Sequence, residues 1–283
     1  MKLLIALSLI LCIASAFENR GPRNIQRERL VSMEQNVAVS PRIANGKTAA
    51  ANDFPYQAGL MLLHGEKWGF CGGSLISKEW VLTAAHCTLN AVRAIVFLGS
   101  INHLDALERL EVDKCDIKVH PEFDSETLIN DIALIKIPKV KYSDAIQPVF
   151  LPTCASSYST YVYETVVAPG WGETSDTSKS FSPVLQFANL KVISNEVCAE
   201  QYPNVVSRML CTSSVNHIGI CAGDSGGPLI LASSKLQIGI VSFYSHKGCG
   251  TDSPAGHTRV TSYLDWIQKN TGLDLNKKKC LCL

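Results

Sequence analysis

The chain has 283 residues, of which 46% are hydrophobic and 18% are charged, and its formal net charge at pH 7 is +1. Nucleic-acid binding normally needs a basic face, and this near-neutral chain shows no sign of one, so we expect no nucleic-acid partner. A chain of this length can bury a large core in one or two domains.

The first sixteen residues have the pattern of a secretory signal peptide. Lys2 precedes an apolar run over 3–13, and the small residues of 14–16 form a cleavage signal. The run is too short to span a bilayer, which takes about 20 apolar residues. We therefore predict a signal peptide over 1–16 that is cleaved after Ala16, and a secreted, extracellular protein with no membrane partner.

The segment that follows differs from the rest of the chain in composition and in its pattern of apolar residues. Residues 17–42 are polar and charged, contain Gly21-Pro22 and show no apolar periodicity, which is typical of a pro-segment without a stable fold. From Ile43 onward the apolar residues come in short β-branched runs between turn residues. We place the domain boundary there, with the folded domain over 43–283.

These short runs predict an all-β domain of the sandwich or barrel type. The runs that show the pattern are 56–63, 80–85, 94–99, 132–137 and 237–243. Near the end, the stretch 261–270 spaces its apolar residues as a short amphipathic helix does. The spaced residues are Tyr263, Leu264, Trp266 and Ile267.

The cysteines are expected to form disulfides. Cys12 leaves with the signal peptide, so ten of the 11 cysteines remain, and an even number in a secreted chain favours disulfides over thiol or zinc chemistry. Neither a CxxC nor an HExxH pattern occurs, so we predict no metal site. The intervals typical of structural bridges are Cys71–Cys87, Cys198–Cys211 and Cys221–Cys249. The sequence alone leaves those pairings open, and also those of Cys115, Cys154, Cys280 and Cys282.

Three short motifs point to nucleophilic catalysis. GDSGGP at 223–228 sets Ser225 between glycines, where a tight turn exposes the hydroxyl and lets N–H groups converge. Such a serine needs a base and a group that orients the base. LTAAHC supplies His86, and NDIALIKI supplies Asp131, a carboxylate that is costly to bury unless it has a partner. A lone histidine or Gly-rich turn is usually structural, so the three motifs count only together.

In this order, the three motifs resemble the chymotrypsin family of serine peptidases. The resemblance covers about 43–270 and is closest in texture to arthropod chymotrypsin-like and collagenolytic digestive enzymes. The further matching segments are RIANG at 42–46, FPYQAGL at 54–60, CGGSLIS at 71–77, APGWGET at 168–174 and SYLDWI at 262–267. The resemblance implies two packed six-stranded antiparallel β-barrels, with the active site between them, and a C-terminal helix.

The resemblance also assigns a role to each motif. Ser225 would attack the scissile carbonyl, His86 would take and return its proton, and Asp131 would orient the imidazole. The N–H groups of Gly223 and Ser225 would form the oxyanion hole, and Ser242 would support the buried aspartate. No cofactor is implied. The alternative from another class is a non-catalytic homologue that acts as a binding or regulatory module.

Activation would follow the family's zymogen scheme. Cleavage between Arg42 and Ile43 would free an α-ammonium that pairs with Asp224, the residue before the nucleophile. Leaving such a buried carboxylate unpaired costs roughly 3–5 kcal/mol, enough to leave the oxyanion hole unformed in the precursor. The implied partners are an activating trypsin-like peptidase, protein or peptide substrates and, as a further class, proteinaceous inhibitors.

The substrate pocket is expected to accept uncharged side chains. In trypsin-like relatives an aspartate lies six residues before the nucleophile, whereas here that position is Gly219, followed by Ile220. The remaining pocket residues implied are Ser242, Phe243, Tyr244 and Ala255. Tyr244 and Ile220 are expected to narrow the pocket towards small or medium apolar residues. A Tyr244 side chain turned to solvent would instead admit Phe, Tyr or Leu.

Overall fold

The structure, a computed structural model, describes residues 46–153, 159–177, 180–214 and 218–275, except for the side chain of Leu104. The predicted signal peptide, the pro-segment and the Arg42-Ile43 bond lie outside the described residues, as do Cys154, Cys280 and Cys282.

Strands dominate the described part of the chain. They are β1 (Lys47–Thr48), β2 (Gln57–His64), β3 (Lys67–Ser77), β4 (Trp80–Thr83), β5 (Arg93–Leu98), β6 (Glu108–Asp113), β7 (Ile117–Val119), β8 (Ala133–Lys136), β9 (Thr165–Gly170), β10 (Gln186–Ile193), β11 (Met209–Ser213), β12 (Pro228–Leu231), β13 (Gln237–Phe243) and β14 (Ala255–Arg259). The described α-helices are α1 (Ala85–Thr88), α2 (Asn195–Ala199) and α3 (Leu264–Thr271). The described 3-10 turns are His103–Asp105, Lys114–Asp116 and Val260–Tyr263.

The first barrel is built from a sheet whose two ends are joined by one interrupted strand. Its antiparallel order is β6-β5-β2-β3-β4-β8-β7. The end strands β6 and β7 are consecutive in the chain and are separated only by the 3-10 turn Lys114–Asp116. Counted as one strand, they give the predicted six-stranded barrel.

The second barrel closes by direct strand pairing. Its order is β1-β10-β11-β14-β13-β12-β9, and β9 pairs with β10 as well as with β12, which makes a ring of six strands. The two-residue β1 adds to the outside of β10. The predicted pair of six-stranded barrels is therefore confirmed, with β1 as an additional short strand.

The burial of the strands follows from their sequence patterns. In β10 every second residue is buried, and Ala188, Leu190 and Val192 enter the core of the second barrel. This period of two is that of a strand with one face towards a core. In the first barrel, β4 and β8 are almost continuously apolar and buried, and Leu82 faces Leu134 in their register. Burying each such leucine contributes about 1.5–3 kcal/mol.

The predicted C-terminal helix is confirmed, with its first part tightened into a 3-10 turn. α3 spans Leu264–Thr271 and is capped by Gly272, whose φ of 73° gives the left-handed helix end that glycine favours. Leu264 and Ile267 pack into the core of the first barrel. Within the described residues, no helix is both long and apolar enough to cross a membrane.

The predicted disulfides are present. The bonded pairs are Cys71–Cys87, Cys198–Cys211 and Cys221–Cys249. Cys115, whose pairing the sequence left open, is also disulfide-bonded. The first bridge ties β3 to α1, the helix that carries His86, so it fixes a candidate site residue to the barrel.

Candidate active site

Two of the candidate residues meet because their strands are antiparallel neighbours. His86 lies in α1, just after the end of β4, and Asp131 lies just before the start of β8. In the register of this pair Thr83 faces Ala133. The end of one strand therefore lies beside the start of the other, and both side chains reach the same rim of the first barrel.

His86 and Asp131 form a two-point contact. The Nδ1–H of His86 donates to Oδ2 of Asp131 over 2.7 Å, and its backbone N–H donates to Oδ1 over 2.9 Å. The Asp131 side chain is 0% exposed, whereas that of His86 is 27% exposed. The buried carboxylate fixes the tautomer of the imidazole, which leaves Nε2 as the nitrogen that can exchange a proton.

The second barrel anchors Asp131 from the other side. The hydroxyl of Ser242 on β13 donates to Oδ2 over 2.6 Å, and that of Thr258 on β14 donates to the Asp131 carbonyl oxygen over 2.6 Å. The Ser242 bond helps to satisfy a carboxylate that has no access to water, and the Thr258 bond fixes the backbone that carries it. Ser242 was expected from the resemblance; Thr258 was not, because no motif marks it.

The turn around Ser225 requires its glycines. Gly223 and Gly226 have φ values of 94° and 80°, in the left-handed region where a side chain is strained. A Cβ at Gly223 would also lie 2.7 Å from the ring of Phe181. The carbonyl of Ser225 accepts the N–H of Gly72 over 2.7 Å, which ties the turn to the first barrel.

The same turn leaves two donors available. Among the described residues, the N–H groups of Gly223 and Ser225 donate to no acceptor. Both residues are half-buried and line the cleft, so these two N–H groups can receive a negatively charged oxygen there.

His86 and Ser225 line one cleft of about 320 Å³, which Ala222 and Tyr244 also line.

His86 lies close to Cys71 and Cys87: a ring nitrogen of His86 and the two cysteine sulfurs, all atoms that can bind metals, lie within 4.8 Å of one another. Their sulfurs are joined in a disulfide, so no thiolate is left to bind a metal.

Asp224, the residue before the nucleophile, is buried. Its carboxylate, in a residue 2% exposed, accepts the N–H groups of Gly172 and Cys221, each over 2.9 Å. Burial raises the pKa of Asp224 to about 6, and the two N–H donors oppose that rise. A Cβ at Gly170 or Gly172 would collide with the carboxylate. Both glycines lie in the APGWGET segment, which was noted for its resemblance to the family, but neither was assigned a role from the sequence.

Most of the predicted pocket residues are buried. Gly219 is buried, and Ile220, 1% exposed, packs with Ala255 in the core of the second barrel. The narrowing of the pocket by Ile220 stays a prediction. The ring of Phe243 lies directly against Gly256, where a Cβ would overlap it.

Tyr244 is the predicted pocket residue that lines the cleft, and its side chain turns inward. It packs against the Cys221–Cys249 disulfide and lines the cleft together with Ala222. Burial raises the pKa of Tyr244, and the nearby carboxylates of Glu173, Asp176 and Asp224 raise it further.

Asp176 supports the loop that follows Tyr244, a role that sequence reasoning missed. Its carboxylate accepts the N–H groups of Cys249 and Gly250, over 2.6 and 3.1 Å. Gly248 has a φ of 124°, and a Cβ there would lie 2.5 Å from the carboxylate. No local motif marks this contact, because Asp176 is 73 residues from Cys249 in the chain.

Comparison with known proteins agrees with this geometry. The family model Trypsin matches residues 43–267. Collagenase from Hypoderma lineatum is 40% identical over 276 residues, which cover 96% of this chain and 99% of that protein. Brachyurin from Leptuca pugilator is 40% identical over 233 residues, which cover 82% and 99%. A solved structure of HL collagenase aligns with a TM-score of 0.77 at 41% identity, covering 82% of this chain and 99% of that one. The chain therefore belongs to the trypsin family of chymotrypsin-like serine endopeptidases.

Proposed function

We propose that the protein is a secreted endopeptidase, made as a zymogen, that hydrolyses peptide bonds after uncharged apolar residues. The observation that carries this proposal is the 2.7 Å hydrogen bond from His86 to the buried Asp131, in a molecule whose cleft His86 shares with Ser225.

The reaction would divide among these residues as follows. The Ser225 hydroxyl attacks the scissile carbonyl, and its proton passes to Nε2 of His86, because Nδ1 already donates to Asp131. The oxyanion is received by the N–H groups of Gly223 and Ser225. His86 then gives its proton to the leaving amine, and a water molecule repeats the sequence on the acyl-enzyme.

Zymogen activation would act through Asp224. In the precursor the nitrogen of Ile43 is an uncharged amide, and none of the described residues forms an ion pair with Asp224. After cleavage at Arg42, the new α-ammonium of Ile43 would supply the missing charge. This pairing would favour the ionised carboxylate and hold the Gly223–Ser225 turn in its active shape.

The proposed specificity rests on the absence of a carboxylate from the predicted pocket. Gly219 occupies the position of the acidic residue of trypsin-like relatives, and the Asp176 carboxylate is already held by two N–H groups. A lysine or arginine side chain would therefore enter without a counter-charge, which is costly. The inward ring of Tyr244 favours small or medium apolar side chains.

The same pocket chemistry makes self-activation inefficient, because the activation bond follows Arg42. A Ser225→Ala precursor incubated with activated wild-type enzyme should stay intact, while trypsin should cut it after Arg42. Rapid cutting by the wild-type enzyme would refute the proposed specificity.

The main test is to activate the precursor with trypsin, react it with a fluorophosphonate and profile its cleavage of a peptide library. We expect labelling that Ser225→Ala abolishes, and cleavage after uncharged residues. The set of test substrates should include native collagen, because the Hypoderma lineatum relative is named a collagenase. If the activated protein shows no labelling and no cleavage, the non-catalytic binding module would be favoured instead.

A further inference from the structure

We infer that Arg208 is a positioning residue for Asp131 and acts across the junction of the two barrels through the side chain of Asn130. The inference rests on the proposed role of Asp131 in orienting His86. Neither Arg208 nor Asn130 touches the reacting atoms, so the effect would be on the geometry of the acid–base pair.

The backbone that carries Asp131 is unusual. Asn130 has a φ of 60°, in the left-handed region that asparagine tolerates better than most residues. The N–H of Ile132 donates to the Asn130 carbonyl over 2.8 Å, which closes a three-residue turn with Asp131 at its centre. A turn of this kind persists only where its surroundings hold it, so the position of Asp131 depends on what fixes Asn130.

Three different segments fix the Asn130 amide, in a residue that is 6% exposed. Its Oδ1 accepts from Nη1 of Arg208 over 3.0 Å and from the hydroxyl of Tyr263 over 2.9 Å. Its Nδ2 donates to the carbonyl of Glu122 over 2.7 Å. The Arg208 bond is the charge-assisted one of the three.

Arg208 provides this bond from the second barrel. It immediately precedes β11, and its carbonyl accepts the N–H of Arg259, the last residue of β14, over 2.9 Å. Ser242 and Thr258, which bond Asp131 directly, lie on β13 and β14 of the same barrel. The second barrel therefore holds the carboxylate-bearing turn of the first at three points, and Arg208 is the one that acts indirectly.

The first test is Arg208→Met in the activated full-length enzyme, with rates normalised to active sites titrated by a fluorophosphonate. Loss of one hydrogen bond to a charged group predicts a kcat about tenfold lower, with KM within twofold because no substrate contact changes. Arg208→Lys should recover part of the loss, since it keeps the charge. The matched control is Arg93→Met, an exposed arginine of the first barrel whose nearest carboxylate, on Asp113, is 4.0 Å away; its kcat should equal that of the wild type.

The second test asks whether Arg208 acts through Asn130. Asn130→Gly keeps the left-handed backbone accessible but removes the amide, so adding Arg208→Met to it should cause no further fall in kcat. If Asn130→Gly does not fold, Asn130→Asp serves instead: it keeps the acceptor for Arg208, so Arg208→Met should still lower kcat on that background.

A kcat within twofold of the wild type in Arg208→Met would overturn the inference, as would effects of Arg208→Met and Asn130→Gly that simply add. A loss that disappears after normalisation to titrated active sites would show that Arg208 only supports folding. Failure of the proposed function is distinguishable, because the activated wild-type enzyme would then not react with the fluorophosphonate.

Discussion

Replacing Gly172 by alanine places a methyl group against the carboxylate of Asp224. The new Cβ would lie 2.6 Å from Cγ and Oδ1 and 2.7 Å from Oδ2, whereas atoms in van der Waals contact with carbon are ordinarily about 3.5–4.0 Å away. The carboxylate would have to move by about 1 Å to restore that spacing. The movement breaks its 2.9 Å hydrogen bond from the Gly172 N–H.

The expected cost follows from what this carboxylate does in the proposed zymogen scheme. A hydrogen bond to a charged group is worth about 1.5–3 kcal/mol, and a buried ion pair that loses its geometry costs roughly 3–5 kcal/mol. Asp224 lies between Gly223 and Ser225, so its displacement disturbs both candidate oxyanion donors. Losing one such donor lowers the rate about 100–1,000-fold, and we expect kcat/KM to fall by that factor.

The assay is kcat/KM on a fluorogenic peptide after trypsin activation, with the melting temperature recorded to establish that the variant is folded. Gly65→Ala is the matched control, because Gly65 has a positive φ of 61° but nothing within 4 Å of its added Cβ. It should lose about 1 kcal/mol of stability and no activity. A folded Gly172→Ala enzyme within threefold of the wild type would refute the reasoning.

Three further predictions concern residues around the cleft and beneath it. Ser242→Ala removes a 2.6 Å donor from the Asp131 carboxylate, so steady-state kinetics should show kcat about tenfold lower or more with KM unchanged. Tyr244→Gly removes a ring that lines the cleft and should shift library cleavage towards Phe and Tyr; an unaltered profile would show that the ring does not limit the pocket. Burial lowers the pKa of His257 to about 3, so this histidine contributes stability above its unfolded pKa of about 6.5 that is lost as the pH falls towards 3. His257→Phe should flatten the fall in melting temperature between pH 6.5 and 4, and an equally steep fall would contradict this assignment.

The sequence was sufficient for features that depend on short segments. His86 and Asp131 could be paired before the structure because their motifs, in order with GDSGGP, resemble those of the chymotrypsin family. The C-terminal helix follows from an equally local pattern, whereas the cysteine pairings were left open until the structure showed them. The interruption of the first barrel at Lys114–Asp116 was not predicted, because one 3-10 turn changes neither composition nor periodicity.

Features that depend on the register between distant strands could not be predicted. Thr258 reaches Asp131, 127 residues earlier in the chain, only because β14 pairs with β11 and β13 in one register. A shift of one residue would turn the hydroxyl to the other face of the strand. Ile220 shows a second limit: it follows Gly219 in an irregular segment, where no periodicity indicates which way a side chain points.

The two buried carboxylates of the site are stabilised by different means, and this difference explains how a precursor could be folded yet inactive. Asp131 is held by an imidazole and by hydroxyl donors of the second barrel, all of which exist as soon as the barrels dock. Asp224 has two backbone N–H donors and no ion-pair partner among the described residues, and burial raises its pKa to about 6. In the proposed zymogen scheme, the new α-ammonium of Ile43 would supply the matching positive charge, and it would act on the Gly223–Ser225 turn while leaving the His86–Asp131 pair as it is.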